Sequence, residues 1–397
     1  MCNLMNILFV YTSEITPEDG GVQRVTSFLG SYFEQQNNDV YYLSFKKSKT
    51  PSKVNSKQHF LPVENDLYNK KNISFYFDFV KINKIDIIIN QAALGGNMTR
   101  FCAYAKSTSK VKIISVIHNS LLGNILNYTS SHSKQLKKIP LPFLMDLLET
   151  KFLKNVLNFL YVIKYKRAYK FTCENSDKVV LLSEGFYEEL RNFVPNYDSN
   201  KVCAIPNPCT LNVTNSIPKK INEILYVGRI NTSQKKVDLL LKIWEGIYKQ
   251  HQNWNLSIVG DGDERLDLEK QVCKLGLERI KFCGLQNPIP FYGQSKILCM
   301  TSAYEGFPLV LAEAQVFGTI PIAFDSFASV RDIITNEENG FLIEPFSLQK
   351  YIDRLSELMN NEEKMKEMAL NCQKSVEKFS IEAVGEVWIE LFHKLHK

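Results

Sequence analysis

Apolar residues fall in short runs separated by stretches of helical spacing. Ile224-Leu225-Tyr226-Val227, Leu256-Ser257-Ile258-Val259, Ile280-Lys281-Phe282, Ile297-Leu298-Cys299-Met300 and Ile320-Pro321-Ile322-Ala323-Phe324 have the length and make-up of strands buried on both faces. Between them, Val237, Leu240, Leu241 and Trp244, and then Leu266, Leu268 and Val272, repeat with helical period. Strands at intervals of roughly 20 to 35 residues with helices between them predict a parallel sheet covered on both faces. The first half alternates more loosely. Strands are expected at Asn6 to Tyr11, Val40 to Phe45, Asp86 to Ile89, Val111 to Ile117 and Lys178 to Leu182, with a helix through Val25, Phe28, Leu29 and Phe33. The fold class is therefore α/β, with two Rossmann-like halves. A boundary is expected near Ile205-Pro206-Asn207-Pro208, where two prolines discourage regular structure and a polar stretch follows to Lys220.

With 397 residues the chain can hold two domains, and 45% hydrophobic with 23% charged residues is ordinary globular composition. A formal charge of +6 is too mild to argue for nucleic acid, but it favours anionic partners such as nucleotide diphosphates or an acidic membrane surface. Nine scattered cysteines without a Cys-x-x-Cys pair indicate neither zinc nor a disulfide framework, and fit a cytoplasmic protein. Met1 to Tyr11 lacks a basic leader and reads as a first strand, and no apolar run reaches the ~18 residues that span a bilayer.

The most informative segment is Tyr304-Glu305-Gly306-Phe307-Pro308-Leu309-Val310-Leu311-Ala312-Glu313-Ala314-Gln315. Pro308 suits the first helical position, Gly306 permits close approach of a ligand to the backbone, and the first-turn N–H groups form an anion site. Glu313 lies inside the helix among apolar neighbours, so it should be at least partly buried and needs partners.

This spacing resembles the donor-site motif of retaining glycosyltransferases of family 4, which have the GT-B fold: two Rossmann-like domains with parallel sheets facing across a cleft. The resemblance implies that Glu305 lies beside the transferred sugar and Glu313 binds the ribose hydroxyls, with Gly306, Phe307, Pro308 and Leu309 at the donor. It divides the chain into an acceptor-binding domain over 1–205, a nucleotide-sugar-binding domain over 206–378, and a C-terminal helix over 379–397 returning to the first domain. The donor is expected to be a nucleotide-diphosphate sugar with uridine as the favoured base. The acceptor would be a glycan or lipid-linked saccharide, in bacterial surface-polysaccharide assembly such as lipopolysaccharide or capsule. Retention in this family proceeds by front-face displacement without an identified protein nucleophile.

Val227-Gly228-Arg229 followed by Lys235 puts two cations beyond a strand end, suited to a diphosphate. The resemblance makes Arg229 and Lys235 neutralise the departing diphosphate, with Gly228 in the donor loop. Lys236 stands where the family commonly has Gly. Gly20-Gly21 between the first strand and helix, with Val22, would face the donor from the first domain, and His118 matches the family's first-domain histidine near the transferred sugar. Gly260-Asp261-Gly262-Asp263 resembles a metal motif of GT-A enzymes, but it matches a Gly-Asp-Gly turn of family 4, and Arg229 with Lys235 already supplies the positive charge. No metal and no cofactor is expected, the nucleotide sugar being a substrate. Phe282-Cys283-Gly284 resembles the segment whose backbone holds the nucleobase, which adds Gly284 to the donor site.

No phosphate-loop motif, catalytic triad setting or full Gly-x-Gly-x-x-Gly fingerprint is present, which weakens kinase, hydrolase and dehydrogenase readings. A GT-B phosphorylase or epimerase, or a non-catalytic nucleotide-sugar-binding protein, remains as an alternative. Between Ser133 and Phe171, Lys134, Lys137, Lys138, Lys151, Lys154, Lys164, Lys166, Arg167 and Lys170 alternate with Leu, Phe and Tyr. Two readings stay open. The stretch could lie on an anionic membrane, at the inner face of the plasma membrane, or it could be a core-facing helix with snorkelling lysines.

Overall fold

The computed structural model describes residues 4–18, 20–48, 57–107, 110–126, 150–211 and 219–396. Two compact units emerge. The first is built from residues of 4–121, 159–210 and 379–396, and the second mainly from Leu211–Lys378. The division after Thr210 falls a few residues beyond the prolines 206 and 208.

In the first unit, β1 (Asn6–Ser13), β2 (Asp39–Lys46), β3 (Gln58–Phe60), β4 (Ile87–Asn90), β5 (Lys112–Ile117), β6 (Lys178–Leu181) and β7 (Val202–Ala204) form a parallel sheet in the order β3-β2-β1-β4-β5-β6-β7. Its middle strands are apolar on both faces because helices cover both: Leu8, Val10, Ile88 and Ile113 join one core with Tyr76, Phe79 and Phe101. On the other face Phe9 stacks on Phe33 of the helix Gly21–Gln35, and Phe33 meets Phe392 at 5.0 Å between ring centres. Phe392 belongs to the C-terminal helix Ile381–His396, which thus closes the sheet's flank. Gly385 permits that approach, since a Cβ there would stand 2.3 Å from the Tyr32 ring.

In the second unit, β8 (Ile221–Val227), β9 (Asn255–Val259), β10 (Ile280–Gly284), β11 (Ser295–Met300), β12 (Ile320–Phe324) and β13 (Phe341–Ile343) are ordered β10-β9-β8-β11-β12-β13, again all parallel. Trp244, Trp254 and Tyr351 are among the largest side chains of its core. Strand order reverses between β8 and β11, so the loops following these two strands lie side by side at the carboxyl edge. That is where open α/β sheets bind ligands.

Three strands, β3, β7 and β13, were not expected from the sequence. Each is three residues long and ends a pairing series or an edge of its sheet. The helix of the most informative segment starts one residue later than expected: it spans Leu309–Val316, with Pro308 as the N-cap in extended conformation, not the first helical residue. The following β-strand, not the apolar run, sets its end, because Phe317 and Gly318 turn the chain into β12.

Candidate functional site

The loops after β8 and β11 are tied together by side chains. Asn231 Oδ1 accepts from the backbone N–H groups of Gln234 and Lys235, both at 2.9 Å, an Asx-type turn that fixes the direction of Lys235. Thr301 Oγ1 donates to the Lys235 carbonyl at 2.9 Å. Gln234 completes the tie. Its carbonyl accepts from Ala303 N–H at 2.7 Å, and its amide reaches the Tyr304 carbonyl and Glu305 Oε2 at 3.0 and 3.3 Å. So positioned, Lys235 Nζ lies 2.6 Å from Glu305 Oε1, and the two side chains are only 19% and 10% exposed.

Arg229 is exposed, and among the described residues its guanidinium has no ion-pair partner. Its carbonyl accepts from the Tyr226 hydroxyl at 2.9 Å, which pins the Gly228-Arg229 turn to β8. Burial, with the nearby charge of Glu305 adding to it, holds that hydroxyl well above the ordinary tyrosine range, so it stays a donor. Lys236 does not share the position of Lys235. It adopts the left-handed conformation at φ 48°, capping the helix Val237–Ile247, and its ammonium lies 5.2 Å from the centre of the Phe346 ring. A glycine at this place would suit that backbone, and Lys occupies it with the strain of a positive φ.

Glu313 is 1% exposed, and its Oε2 accepts from the Tyr292 hydroxyl at 2.8 Å. The burial expected from its apolar neighbours is thus complete. Gly306, Phe307, Pro308 and Leu309 are buried with Glu305 in the same segment. Gly284 has φ +74° at a bulge closing β10, and its carbonyl accepts from Gly260 N–H at 2.8 Å.

The Gly-Asp-Gly turn has a packing origin. A Cβ on Gly260 would stand 1.9 Å from the Gly228 carbonyl oxygen, and one on Gly262 would stand 2.1 Å from that of Ile230. Both glycines are needed so that this turn can lie against the Arg229 loop. Asp261 accepts from Gly262 N–H at 2.8 Å and lies 3.7 Å from Arg265.

In the first unit, Gly20 and Gly21 are exposed at the start of the helix Gly21–Gln35, and Val22 lines a cavity together with His118. His118 follows β5, and its Nε2 is 2.5 Å from Gln91 Oε1. Burial lowers its pKa to about 4, so the ring is neutral. The residues that sequence reasoning did not single out are Tyr226, Asn231, Gln234, Thr301, Tyr292 and Gln91. Only Gln91 carried a usable signal, being a polar residue just beyond a strand of three isoleucines and Asn90.

Of the basic stretch, Lys134, Lys137 and Lys138 lie outside the described residues, as does the side chain of Lys151. The helix Lys151–Asn175 exposes Lys154, Lys164, Lys166, Arg167 and Lys170 along with Phe152, Phe159, Leu160 and Ile163, the first 77% and the last 53% exposed. Only its later part, with Ala168, Tyr169, Thr172 and Cys173, packs into the first unit. Among the described residues no helix is long and apolar enough to cross a membrane.

Two parallel sheets of doubly wound order, one carrying cations and carboxylates at its switch point, are the build of GT-B glycosyltransferases, and the comparisons agree. Residues 211–375 match the family model for glycosyl transferases group 1. A glycosyltransferase of Haemophilus influenzae that is itself uncharacterized is 28% identical over 377 residues, covering 93% of this chain and 95% of that one. A Campylobacter jejuni alpha-1,4-N-acetyl-D-galactosaminyltransferase, whose name gives a saccharide linked to undecaprenol through PP, is 29% identical over 198 residues, 48% of this chain and 54% of that one. The pneumococcal O-GlcNAc transferase GtfA, solved in complex with UDP and GlcNAc, superposes with a TM-score of 0.72 at 13% identity over 99% of each chain. The protein is a glycosyltransferase of GT-B fold.

Proposed function

We propose that the protein is a retaining, metal-independent glycosyltransferase of family 4. It moves a sugar from a UDP-sugar to a glycan or lipid-linked saccharide in bacterial surface-polysaccharide assembly. The observation that carries this reading is the switch-point cluster: Lys235 held against Glu305, with Arg229 exposed in the same loop after β8. Arg229 grips diphosphate oxygens and Lys235 adds a compact charge, so the two stabilise the negative charge that grows as the diphosphate departs. Glu305 lies beside the transferred sugar, and Glu313 serves the ribose. Uridine as the base is supported by the UDP bound to the pneumococcal relative of the same fold. No cofactor enters the reaction, and the second unit holds the donor while the first holds the acceptor.

A lipid-linked acceptor is supported by the name of the Campylobacter relative and by the exposed face of the helix Lys151–Asn175. Apolar side chains interleaved with lysines suit an anionic membrane surface, each cation contributing about 1 kcal/mol there. Binding to anionic liposomes that weakens with salt is expected, and absence of binding at low salt removes the membrane from the reading. The decisive experiment is a screen of nucleotide sugars for donor hydrolysis, with and without chelator, followed by anomeric analysis of product. A UDP-sugar should turn over unchanged in chelator with retained configuration. Strict metal dependence, inversion, or binding without turnover would each overturn the corresponding part.

A further inference from the structure

At the amino-terminal edge of the first unit's sheet, opposite the edge where His118 follows β5, lies a cavity of about 810 Å³. Ile85 and Asp86 lead into β4 there, Val111 and Lys112 into β5, and Asp177 into β6. Lys81, Lys84, Lys106, Lys110 and Lys112 line it against Asp86 and Asp177, an excess of three positive charges with His396 left aside.

Both carboxylates are already engaged. Asp86 Oδ2 accepts from Asn6 N–H at 2.8 Å, holding the start of β1. Asp177 Oδ2 accepts from Ile113 N–H at 2.8 Å and lies 2.8 Å from Lys106 Nζ. Among the described residues, Lys81, Lys84, Lys110 and Lys112 have no ion-pair partner. Lys84 closes the helix Lys70–Ile82 at φ 46°, with Ile85 N–H donating to the Val80 carbonyl at 3.0 Å, so a lysine stands where glycine is usual. The helix end favours the charges of Lys81 and Lys84. It does not account for Lys110 and Lys112, which lead into β5. Like charges gathered around one concavity repel each other and raise its potential, and a bound anion relieves both.

Ammonium groups are compact charges suited to phosphate oxygens. A diphosphate concentrates several negative charges on one small group, whereas a carboxylate carries one, and the volume falls in the range of about 300–1,000 Å³ common to small-molecule sites. We propose that this cavity is an anion site that binds a diphosphate group through Lys81, Lys84, Lys110 and Lys112. It does not depend on where the donor binds. The diphosphate can come from a free nucleotide or from a lipid headgroup, and the chemistry is shared.

Lysine acetylation of the full chain, read by mass spectrometry, tests this without a variant, since Lys81, Lys84 and Lys110 are exposed and Lys112 is half-buried. Inorganic pyrophosphate should slow modification of these four several-fold and leave Lys70 and Lys71, at the other end of the same helix, unaffected. No slowing, or equal slowing by potassium chloride at the same ionic strength, overturns the proposal. UDP is then compared with phosphatidylcholine vesicles carrying geranylgeranyl diphosphate. Protection by UDP assigns a free nucleotide, and protection by the vesicles alone assigns a lipid headgroup. Protection by neither leaves an adventitious ion only and overturns the proposal. In calorimetry at low salt, Arg229→Ala/Lys235→Ala should still bind pyrophosphate. Adding Lys81→Gln, Lys84→Gln, Lys110→Gln and Lys112→Gln should weaken that binding about tenfold, the sum of four contacts of surface strength, at an unchanged melting midpoint. Binding that is absent from Arg229→Ala/Lys235→Ala, or untouched by the four lysine substitutions, would also overturn it.

Discussion

Glu305→Gln keeps the shape of the side chain and removes one negative charge from beside Lys235. The pair is 2.6 Å apart with side chains 19% and 10% exposed. That is too sheltered for the 0–1 kcal/mol typical of surface pairs, and less sealed than fully buried pairs, whose disruption costs about 3–5 kcal/mol. An intermediate loss of about 2 kcal/mol is expected, and for a unit of this size it lowers the melting midpoint by about 4–8 °C. A bound diphosphate returns the missing negative charge to Lys235, so UDP should stabilise the variant more than the native protein, by linkage. Differential scanning calorimetry at low salt, following the second unit's transition with and without UDP, measures both quantities. An unchanged midpoint in the absence of UDP refutes the stability argument. Equal UDP-induced shifts in the two proteins refute the idea that the diphosphate and Glu305 share Lys235.

The other predictions concern single groups. Arg229→Ala and Lys235→Ala should each lose about 2–4 kcal/mol of transition-state stabilisation, the scale of one preorganised electrostatic donor, and near-native turnover in both removes the phosphate clamp. Glu313→Ala should weaken UDP as well as the UDP-sugar, because ribose is common to both, and calorimetry giving equal affinity ends its ribose role. Lys236→Gly relieves left-handed strain of about 1–2 kcal/mol but loses the Phe346 contact and adds chain entropy, so stability and UDP affinity should both stay near native. A fall in UDP affinity like that of Lys235→Ala would make Lys236 the lysine that reaches the phosphates. Burial lowers His118 to about 4, so between there and the ordinary value near 6.5 the unfolded chain binds more protons. The neutral ring's contribution to stability is complete above about pH 6.5 and is lost as pH falls toward 4. His118→Gln should therefore show a shallower loss of stability with acid across that window, and identical profiles would place the titration elsewhere.

The sequence by itself determined the alternation of strands and helices and the loops that carry the chemistry. Runs such as Ile87-Ile88-Ile89 or Ile320 to Phe324 are apolar at every position because helices cover both faces, and that pattern does not depend on which strand lies next to which. It also named Arg229, Lys235, Glu305 and His118 through their match to a known motif at strand ends, and Glu313 through that motif and its place among apolar neighbours in a helix. What only the tertiary structure decided are the features made by pairing across distance. β3, β7 and β13 are too short to be stable by their own residues and exist through their neighbours' hydrogen bonds. Which of two adjacent lysines meets Glu305 follows from the Asn231 turn and the left-handed backbone at Lys236. Tyr292 beneath Glu313 and Gln91 beside His118 stand 21 and 27 residues from their partners. A hydrogen bond at such separation leaves no local periodicity, because it is set by how strands and helices pack and not by the propensities of the residues between.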